Sequence, residues 1–130
     1  MKFSKSPSDK PINIEQRLEF MQLAEGNRKT LRDLRPLIDR ELPKALDKFY
    51  QTVRKTPQTT RFFSSDAHVA GAKNAQLGHW SSIVNGEFNA EYGEKVRAIG
   101  KVHAKIGLEP QWYIGGYAII LDHLVKAAVQ

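Results

Sequence analysis

One histidine in this 130-residue sequence lies on an apolar helical stripe, where it could bind a metal. His103 continues the spacing i, i+4, i+7, i+11 and i+14, which marks one face of an α-helix. A neutral imidazole in an apolar crevice keeps a nitrogen lone pair available for a ligand bond. Spacing alone still favours a core histidine that bonds a neighbouring carbonyl. The other members of the stripe are Tyr92, Val96, Ile99 and Ile106.

The sequence after His103 predicts a fixed corner between two helices. Gly107 stands where a left-handed helix C-cap belongs, and Pro110 stands where a new helix begins. The imidazole is therefore expected about one helical turn before the corner. Three large aromatic side chains open the second helix: Trp112, Tyr113 and Tyr117.

The motif GKVHAKIGLEPQWY at residues 100–113 resembles the haem-binding domain of the globin-coupled sensors. These are bacterial gas-sensing relatives of the globins, and they include the protoglobins. Two shorter motifs follow the order of the same family upstream, LDKFY at residues 46–50 and AQLGHW at residues 75–80. The first motif is long and specific, and the resemblance covers about residues 13–130.

This resemblance implies an all-α fold, a globin-like helical sandwich with an extra N-terminal helix and without the final C-terminal helix. It also implies one haem b, iron protoporphyrin IX, with His103 as the proximal iron ligand and Tyr113 in contact with that histidine. Because the sequence contains no cysteine, a Cys-x-x-Cys-His attachment is impossible, and the haem would be held non-covalently.

The distal side of such a site is expected from two helices. Tyr50 follows Phe49 on an apolar helical face, so periodicity alone makes it a core tyrosine, whereas the resemblance makes its hydroxyl the donor to the gas ligand. The helix predicted over residues 67–84 is rich in Ala and Gly, which would let a flat porphyrin approach. Its distal face carries Ala72, Ala75 and Gln76. Gln76 is an alternative donor through its amide.

Further apolar and aromatic side chains are expected to line the haem pocket. One of the adjacent Phe62 and Phe63 would pack on the haem edge, with ordinary core packing as the alternative. His79 is the main rival of His103 as iron ligand, although a propionate or structural role is expected for it, and His68 is a weaker third candidate. The pocket is predicted to comprise Phe49, Val53, Phe62, Phe63, His79, Ile99, Ile106, Tyr113 and Tyr117.

Helix signals along the chain predict about six helices. Asn13 is the expected N-cap of the first helix, which the Gly-Asn pair at residues 26–27 would end. Pro36 is expected to bend a helix or mark a boundary, and Pro43 is expected to start the next helix. Residues 56–60 are expected to form an irregular break, and the last helix is expected to run to the end of the chain.

Composition excludes several classes of function. The net charge of +6 is scattered along predicted helices, so no nucleic-acid partner is expected. No stretch approaches the roughly 18 apolar residues of a membrane span, and the N-terminus lacks a signal-peptide core. A cytoplasmic protein without a membrane partner is therefore expected. No catalytic motif occurs, so neither catalytic residues nor enzyme activity are expected.

The sequence thus predicts a flexible segment over residues 1–11 and a haem-based gas-sensor domain over residues 12–130. By resemblance, this domain would bind O2, CO or NO, form a homodimer and signal to a C-terminal output module absent from this chain. Two alternatives stay open, a freestanding protoglobin-like gas-binding globin and a haem-free helical module that binds a partner through Trp112 and the tyrosines.

Overall fold

The computed structural model describes residues 13–130, in which seven α-helices follow one another and no strand occurs. The expectation of an all-α, globin-like fold is therefore confirmed, while the predicted flexible segment at residues 1–11 lies outside the described residues. None of the helices in residues 13–130 has the length and apolar character needed to span a bilayer. The helices are α1 (Ile14–Phe20), α2 (Glu25–Asp33), α3 (Arg35–Lys55), α4 (Pro57–Thr60), α5 (Asp66–Asn85), α6 (Ala90–Ile106) and α7 (Pro110–Ala128).

Side-chain and glycine caps set five of the helix ends in residues 13–130. The Asn13 side chain accepts a hydrogen bond from the Gln16 N–H, as expected of an N-cap, and Ser65 and Asn89 cap α5 and α6 in the same way. Gly86 and Gly107 end α5 and α6 in the left-handed region, with φ of 68° and 75°. The expected corner after His103 is confirmed.

The expected end of the first helix is wrong. α1 stops at Phe20, and residues 26–27 lie inside α2 instead of ending a helix. The chain turns earlier because Gln22 adopts a left-handed conformation with φ of 58°, and the Asn27 side-chain amide donates to the Gln22 carbonyl at 2.9 Å. A polar side chain that reaches back to the turn thus replaces the glycine stop.

Proline placement in the next helix also differs from the expectation. Pro36 lies in the first turn of α3, whereas Pro43, the expected helix start, lies in its interior. An interior proline removes one backbone hydrogen bond and costs roughly 3 kcal/mol. Leu42 and Leu46 flank it and are both buried, and full burial of such a side chain contributes about 1.5–3 kcal/mol. Burial on both sides therefore outweighs the proline.

The expected irregular break at residues 56–60 contains a short helix, α4. Its buried Thr59 donates from its hydroxyl to the carbonyl of Val53 at 2.9 Å. This bond folds α4 back against the end of α3, and α4 is one reason why seven helices form where about six were expected. The last helix ends at Ala128, two residues before the end of the chain.

The core lies where α3 packs against α7 and α5. Its buried side chains include Leu46 from α3 and Ile120 from α7, which are the largest fully buried ones in the described part of the chain. Gly116 permits the closest approach, since a Cβ atom built there would lie 2.6 Å from Cε2 of Phe49. No larger residue fits between α7 and the Phe49 ring.

We expect Gly116→Ala to destabilise the protein by about 1–3 kcal/mol, because the Phe49 ring must move out of a packed aromatic cluster. The neighbouring Gly115→Ala is the matched control: its Cβ meets nothing within 4 Å, and alanine stabilises a helix interior by roughly 0.5–1 kcal/mol relative to glycine. Urea unfolding measures both changes. Equal free energies of unfolding for the two variants would contradict this packing.

A polar chain also joins α3 to α7. The Nε2 of His123 lies 3.0 Å from Oε2 of Glu41, and the Nζ of Lys48 lies 3.0 Å from Nδ1 of His123. Because an ammonium can only donate, Nδ1 accepts from Lys48 and Nε2–H donates to Glu41. This bond from His123, with further help from Arg40 and Lys44, lowers the pKa of Glu41 from 4.5 to about 2.

This lowered pKa makes stability depend on pH. As the pH falls below 4.5, the unfolded chain binds a proton at residue 41 before the folded chain does. The Glu41 carboxylate therefore stabilises the fold above pH 4.5, and this contribution is lost as the pH falls toward 2. We expect Glu41→Gln to flatten the pH dependence of the free energy of unfolding in this window. Asp122→Asn, in an exposed pair with Lys126, is the control and should keep the wild-type slope.

Candidate functional site

Tyr50 lies at the centre of an aromatic cluster on α3. Only 5% of its surface is exposed, and its ring meets those of Phe49 and Phe63 edge-on, with centroids 4.8 Å and 5.8 Å away. The Phe63 ring in turn lies 5.1 Å from that of His68. Edge-to-face contacts fix the plane of the tyrosine ring, so its hydroxyl has a defined direction.

Gln76 from α5 holds the Tyr50 hydroxyl. Its Nε2 donates to the phenol oxygen at 2.9 Å, which leaves the hydroxyl hydrogen of Tyr50 free for another acceptor. Burial raises the pKa of Tyr50 above its ordinary value of 10, so the hydroxyl keeps this hydrogen at neutral pH. The Tyr50 hydroxyl is thus a hydrogen-bond donor without an acceptor among the described residues.

The small residues of α5 do not all lie on the side of the core. Ala72 is half-buried against the core, whereas Ala75 is exposed. A Cβ atom added at Gly71 or Gly78 would meet nothing within 4 Å. These glycines are therefore not required by close contacts within residues 13–130.

Helix α6 packs loosely against the rest of the fold. Gly93 is its only buried residue, and a Cβ atom added at Gly100 would meet nothing within 4 Å. Aromatic rings supply its main attachments. The His103 ring stacks on the Tyr113 ring of α7 at 5.6 Å with an interplanar angle of 16°, and the Gly107 cap follows one turn later.

His103 combines partial burial with unused nitrogens. Its side chain is half-buried, which lowers its pKa below 6.5 and favours the neutral ring. Neither ring nitrogen has a hydrogen-bond partner among residues 13–130. A neutral imidazole held by a stacked tyrosine is suited to donate a lone pair to a metal.

His79 shares these properties. Its ring stacks on Tyr92 of α6 at 6.2 Å with an interplanar angle of 10°, and burial lowers its pKa below 6.5. Its nitrogens also lack partners in the described part of the chain. The other two histidines differ, since His68 is exposed and accepts from the Ser64 N–H at 3.2 Å, and His123 uses both nitrogens between Lys48 and Glu41.

Comparison with known proteins identifies the family of the chain. A sequence model of the family described as Protoglobin matches residues 12–130. The chain belongs to the protoglobin family. It is a globin-type haem domain, as the motif around His103 indicated.

One relative of this protoglobin domain is the heme-based aerotactic transducer HemAT of Halobacterium salinarum. The two sequences are 27% identical over 115 residues, which make up 88% of this chain and 24% of the relative. The domain thus spans about a quarter of the length of that protein. No solved structure matches the chain.

The residues present fit a haem in their chemistry. His103 offers an uncommitted neutral imidazole, and Tyr50 offers a hydroxyl hydrogen without an acceptor. The buried Nε1 of Trp80 also lacks a partner within residues 13–130, and its ring lies 5.9 Å from that of Tyr117. An unpaired buried polar atom such as Nε1 of Trp80 is uncommon in a protein interior.

The structure gathers only part of the predicted pocket of the protoglobin domain. Phe49 and Phe63 contact Tyr50, Val53 is buried one turn later, and Tyr113 contacts His103. Ile99 is half-buried, but Ile106 is 46% exposed. Within residues 13–130, no ring contact or hydrogen bond joins the Tyr50 cluster directly to the pair of His103 and Tyr113.

Two features of the site were missed from the sequence. Tyr92 was treated as one member of an apolar stripe, yet its ring stacks on that of His79 and also contacts the Phe88 ring, with centroids 5.0 Å apart. An open cavity beside Arg61 and Trp112 was also missed. The walls of this cavity come from segments that are distant in sequence, so only the adjacent Phe62 and Phe63 after Arg61 drew attention to this part of the chain.

Proposed function

We propose that this domain binds one haem b and senses a diatomic gas, with oxygen as the principal ligand and CO and NO as further ligands. The observation that carries the proposal is His103, a half-buried imidazole with both nitrogens unused, stacked on Tyr113 within the family motif. A haem ligated by such a histidine supplies an iron position that binds diatomic gases. Discrimination between gases and orientation of the iron ligand are the tasks of the chain's own residues.

Tyr50 discriminates between gases on the distal side. Its hydroxyl hydrogen is free because Gln76 donates to the phenol oxygen, so it can donate to a ligand that becomes partly negative. Oxygen gains such charge, whereas carbon monoxide stays nearly neutral. Gln76 then acts by orienting the hydroxyl, which is a narrower role than the direct donor that its sequence position allowed.

Tyr113 supports the proximal side. Its ring lies parallel to the imidazole of His103, so it fixes the ring plane and shields one face from water. Because Tyr113 lies in the first turn of α7, a change at His103 would be felt directly by that helix. We propose this contact as the route from the site to α7.

Exposed apolar side chains along α7 support a homodimer. They lie on one stripe, at Ile114, Tyr117, Leu121, Val125 and Val129. A continuous apolar stripe of this kind is typical of a helix that packs on another helix. Sedimentation velocity tests the assignment: we expect a dimer that Leu121→Glu dissociates, and a monomer at all concentrations of the wild type would contradict it.

We further propose that the domain reports gas occupancy to an output module of a longer protein. The aerotactic transducer supports this, since the similar region makes up 24% of its length. The alternative is a freestanding gas-binding globin without a signalling role. A change in the dissociation constant of the dimer on gas binding would favour the sensor over this alternative.

We expect His103→Ala to abolish stoichiometric haem binding, or to leave a site that added imidazole restores, because no other described group would ligate the iron on the α6 side. Absorption spectra of the ferric, ferrous and carbon-monoxide forms after titration with haemin measure this. His68→Ala is the control and should keep the wild-type spectrum.

His79→Ala is the decisive comparison for this assignment, because His79 is equally free of hydrogen bonds. Loss of binding in His79→Ala with a normal spectrum in His103→Ala would transfer the ligand role to α5. Absence of a Soret band in the wild type after reconstitution would select a haem-free partner-binding module.

We expect Tyr50→Phe to accelerate oxygen dissociation roughly 10- to 150-fold, because it removes one hydrogen bond to a charged acceptor, worth about 1.5–3 kcal/mol. Carbon monoxide dissociation should change little. Gln76→Leu keeps the phenol and removes only its orienting partner, so its effect on oxygen should be smaller and in the same direction. Stopped-flow off-rates for both gases measure these ratios, and wild-type ratios in both variants would remove the distal donor.

A further inference from the structure

An open cavity of about 640 Å³ lies between two corners of the fold. One wall belongs to α4 and the residue that follows it, and the other belongs to the corner between α6 and α7. Neither wall was part of the predicted pocket. The lining residues are Pro57, Gln58, Arg61, Glu109, Gln111 and Trp112.

The two walls continue into the two sides of the proposed haem site. Arg61 is followed by Phe62 and Phe63, and the Phe63 ring meets that of Tyr50 at 5.8 Å. On the opposite wall, Trp112 precedes Tyr113, which stacks on His103. The cavity therefore lies where the distal and proximal segments come together at the surface.

Arg61 is held at this opening with its charge unused. Its Nε donates to the Gln58 carbonyl at 3.2 Å, and its guanidinium lies over the Phe62 ring, 4.8 Å from the centroid. These contacts occupy one N–H and one face of the group, and Arg61 forms no ion pair within residues 13–130. Its outer N–H groups can therefore bind a carboxylate in the two-pronged geometry that suits arginine.

The opposite wall carries a charge of the other sign. Glu109 accepts a hydrogen bond from Nε2 of Gln111 at 3.0 Å, and it has no ion pair in the described part of the chain. A carboxylate ligand at the opening would be attracted by Arg61 and repelled by Glu109. Such a ligand is expected to lie on the Arg61 side of the cavity.

We propose that Arg61 binds a haem propionate at this opening, and that Glu109 opposes the same propionate. This assignment rests on the proposed haem site, and it identifies the edge of the porphyrin that reaches solvent. The arrangement also accounts for an arginine that packs on its own neighbours without an acidic partner.

The test measures the rate at which haem leaves the ferric protein for an excess of apomyoglobin. Arg61→Gln should lose haem roughly 1.4- to 5-fold faster than wild type, the range expected for one exposed charge pair, and added salt should shrink the difference. Glu109→Gln should lose haem more slowly. Arg54→Gln is the matched control. Arg54 is an exposed arginine that does not line the cavity, and its guanidinium pairs with Asp66 at 3.0 Å, so this variant should lose haem at the wild-type rate.

A second porphyrin separates propionate binding from a structural role. With iron protoporphyrin IX dimethyl ester, which has no carboxylate, Arg61→Gln and wild type should lose the porphyrin at the same rate. Equal acceleration with both porphyrins, or wild-type rates with haem itself, would overturn the assignment. Failure of the wild type to bind either porphyrin would instead refute the proposed function, and the role of Arg61 with it.

Discussion

The contact between Phe49 and Gly116 is the constraint on which the two candidate sides of the site depend. Phe49 immediately precedes Tyr50, so the position of its ring sets where the distal hydroxyl lies. Gly116 follows Tyr113 by about one turn, so the same contact sets where α7 presents the partner of His103. A Cβ atom built at residue 116 would lie 2.6 Å from Cε2 of Phe49, so α3 and α7 can approach this closely only with glycine at that position.

Helix α6 presents the opposite physical situation, because it carries the proposed ligand yet contributes little to the core. Gly93 and Gly100 each weaken a helix interior by roughly 0.5–1 kcal/mol relative to alanine, and Gly93 alone is buried. The helix is held through two ring stacks, His79 with Tyr92 and His103 with Tyr113. A ligand that binds between such a helix and the core stabilises the folded state by its own binding free energy.

Local signals in the sequence predicted the fold well, and signals that require packing did not. The caps at Asn13 and Gly107 follow from the residue type and its neighbours, so the sequence alone predicted them. The interior position of Pro43 could not, because local preference opposes it and only the burial of the leucines around it decides. The sequence motif likewise predicted family membership, since it covers consecutive residues.

Site contacts divide in the same way. That Gln76 and Tyr50 belong to one distal face was predicted, but the direction of their hydrogen bond was not, because it depends on how α3 and α5 pack. Arg61 and Glu109 are 48 positions apart in sequence, and Arg61 lies outside the three motifs, whereas Glu109 lies inside the motif at residues 100–113. No periodicity links such residues, so only the folded chain brings them to one cavity.

Proton binding ties the two unpaired histidines to the stability of the fold. Burial lowers the pKa of both His79 and His103 below 6.5, so as the pH falls through that value the unfolded chain takes up protons before the folded chain does. Above pH 6.5, proton binding at these two residues does not lower the free energy of unfolding, whereas below pH 6.5 it lowers it increasingly. A metal bond to one imidazole competes with the proton at that ring. Haem binding would therefore steepen the pH dependence of stability that comes from the iron-binding histidine and leave the contribution of the other histidine unchanged. The cost of two half-buried, unpaired imidazoles is consistent with the proposed assignment, in which His103 binds iron and His79 holds α5 against α6.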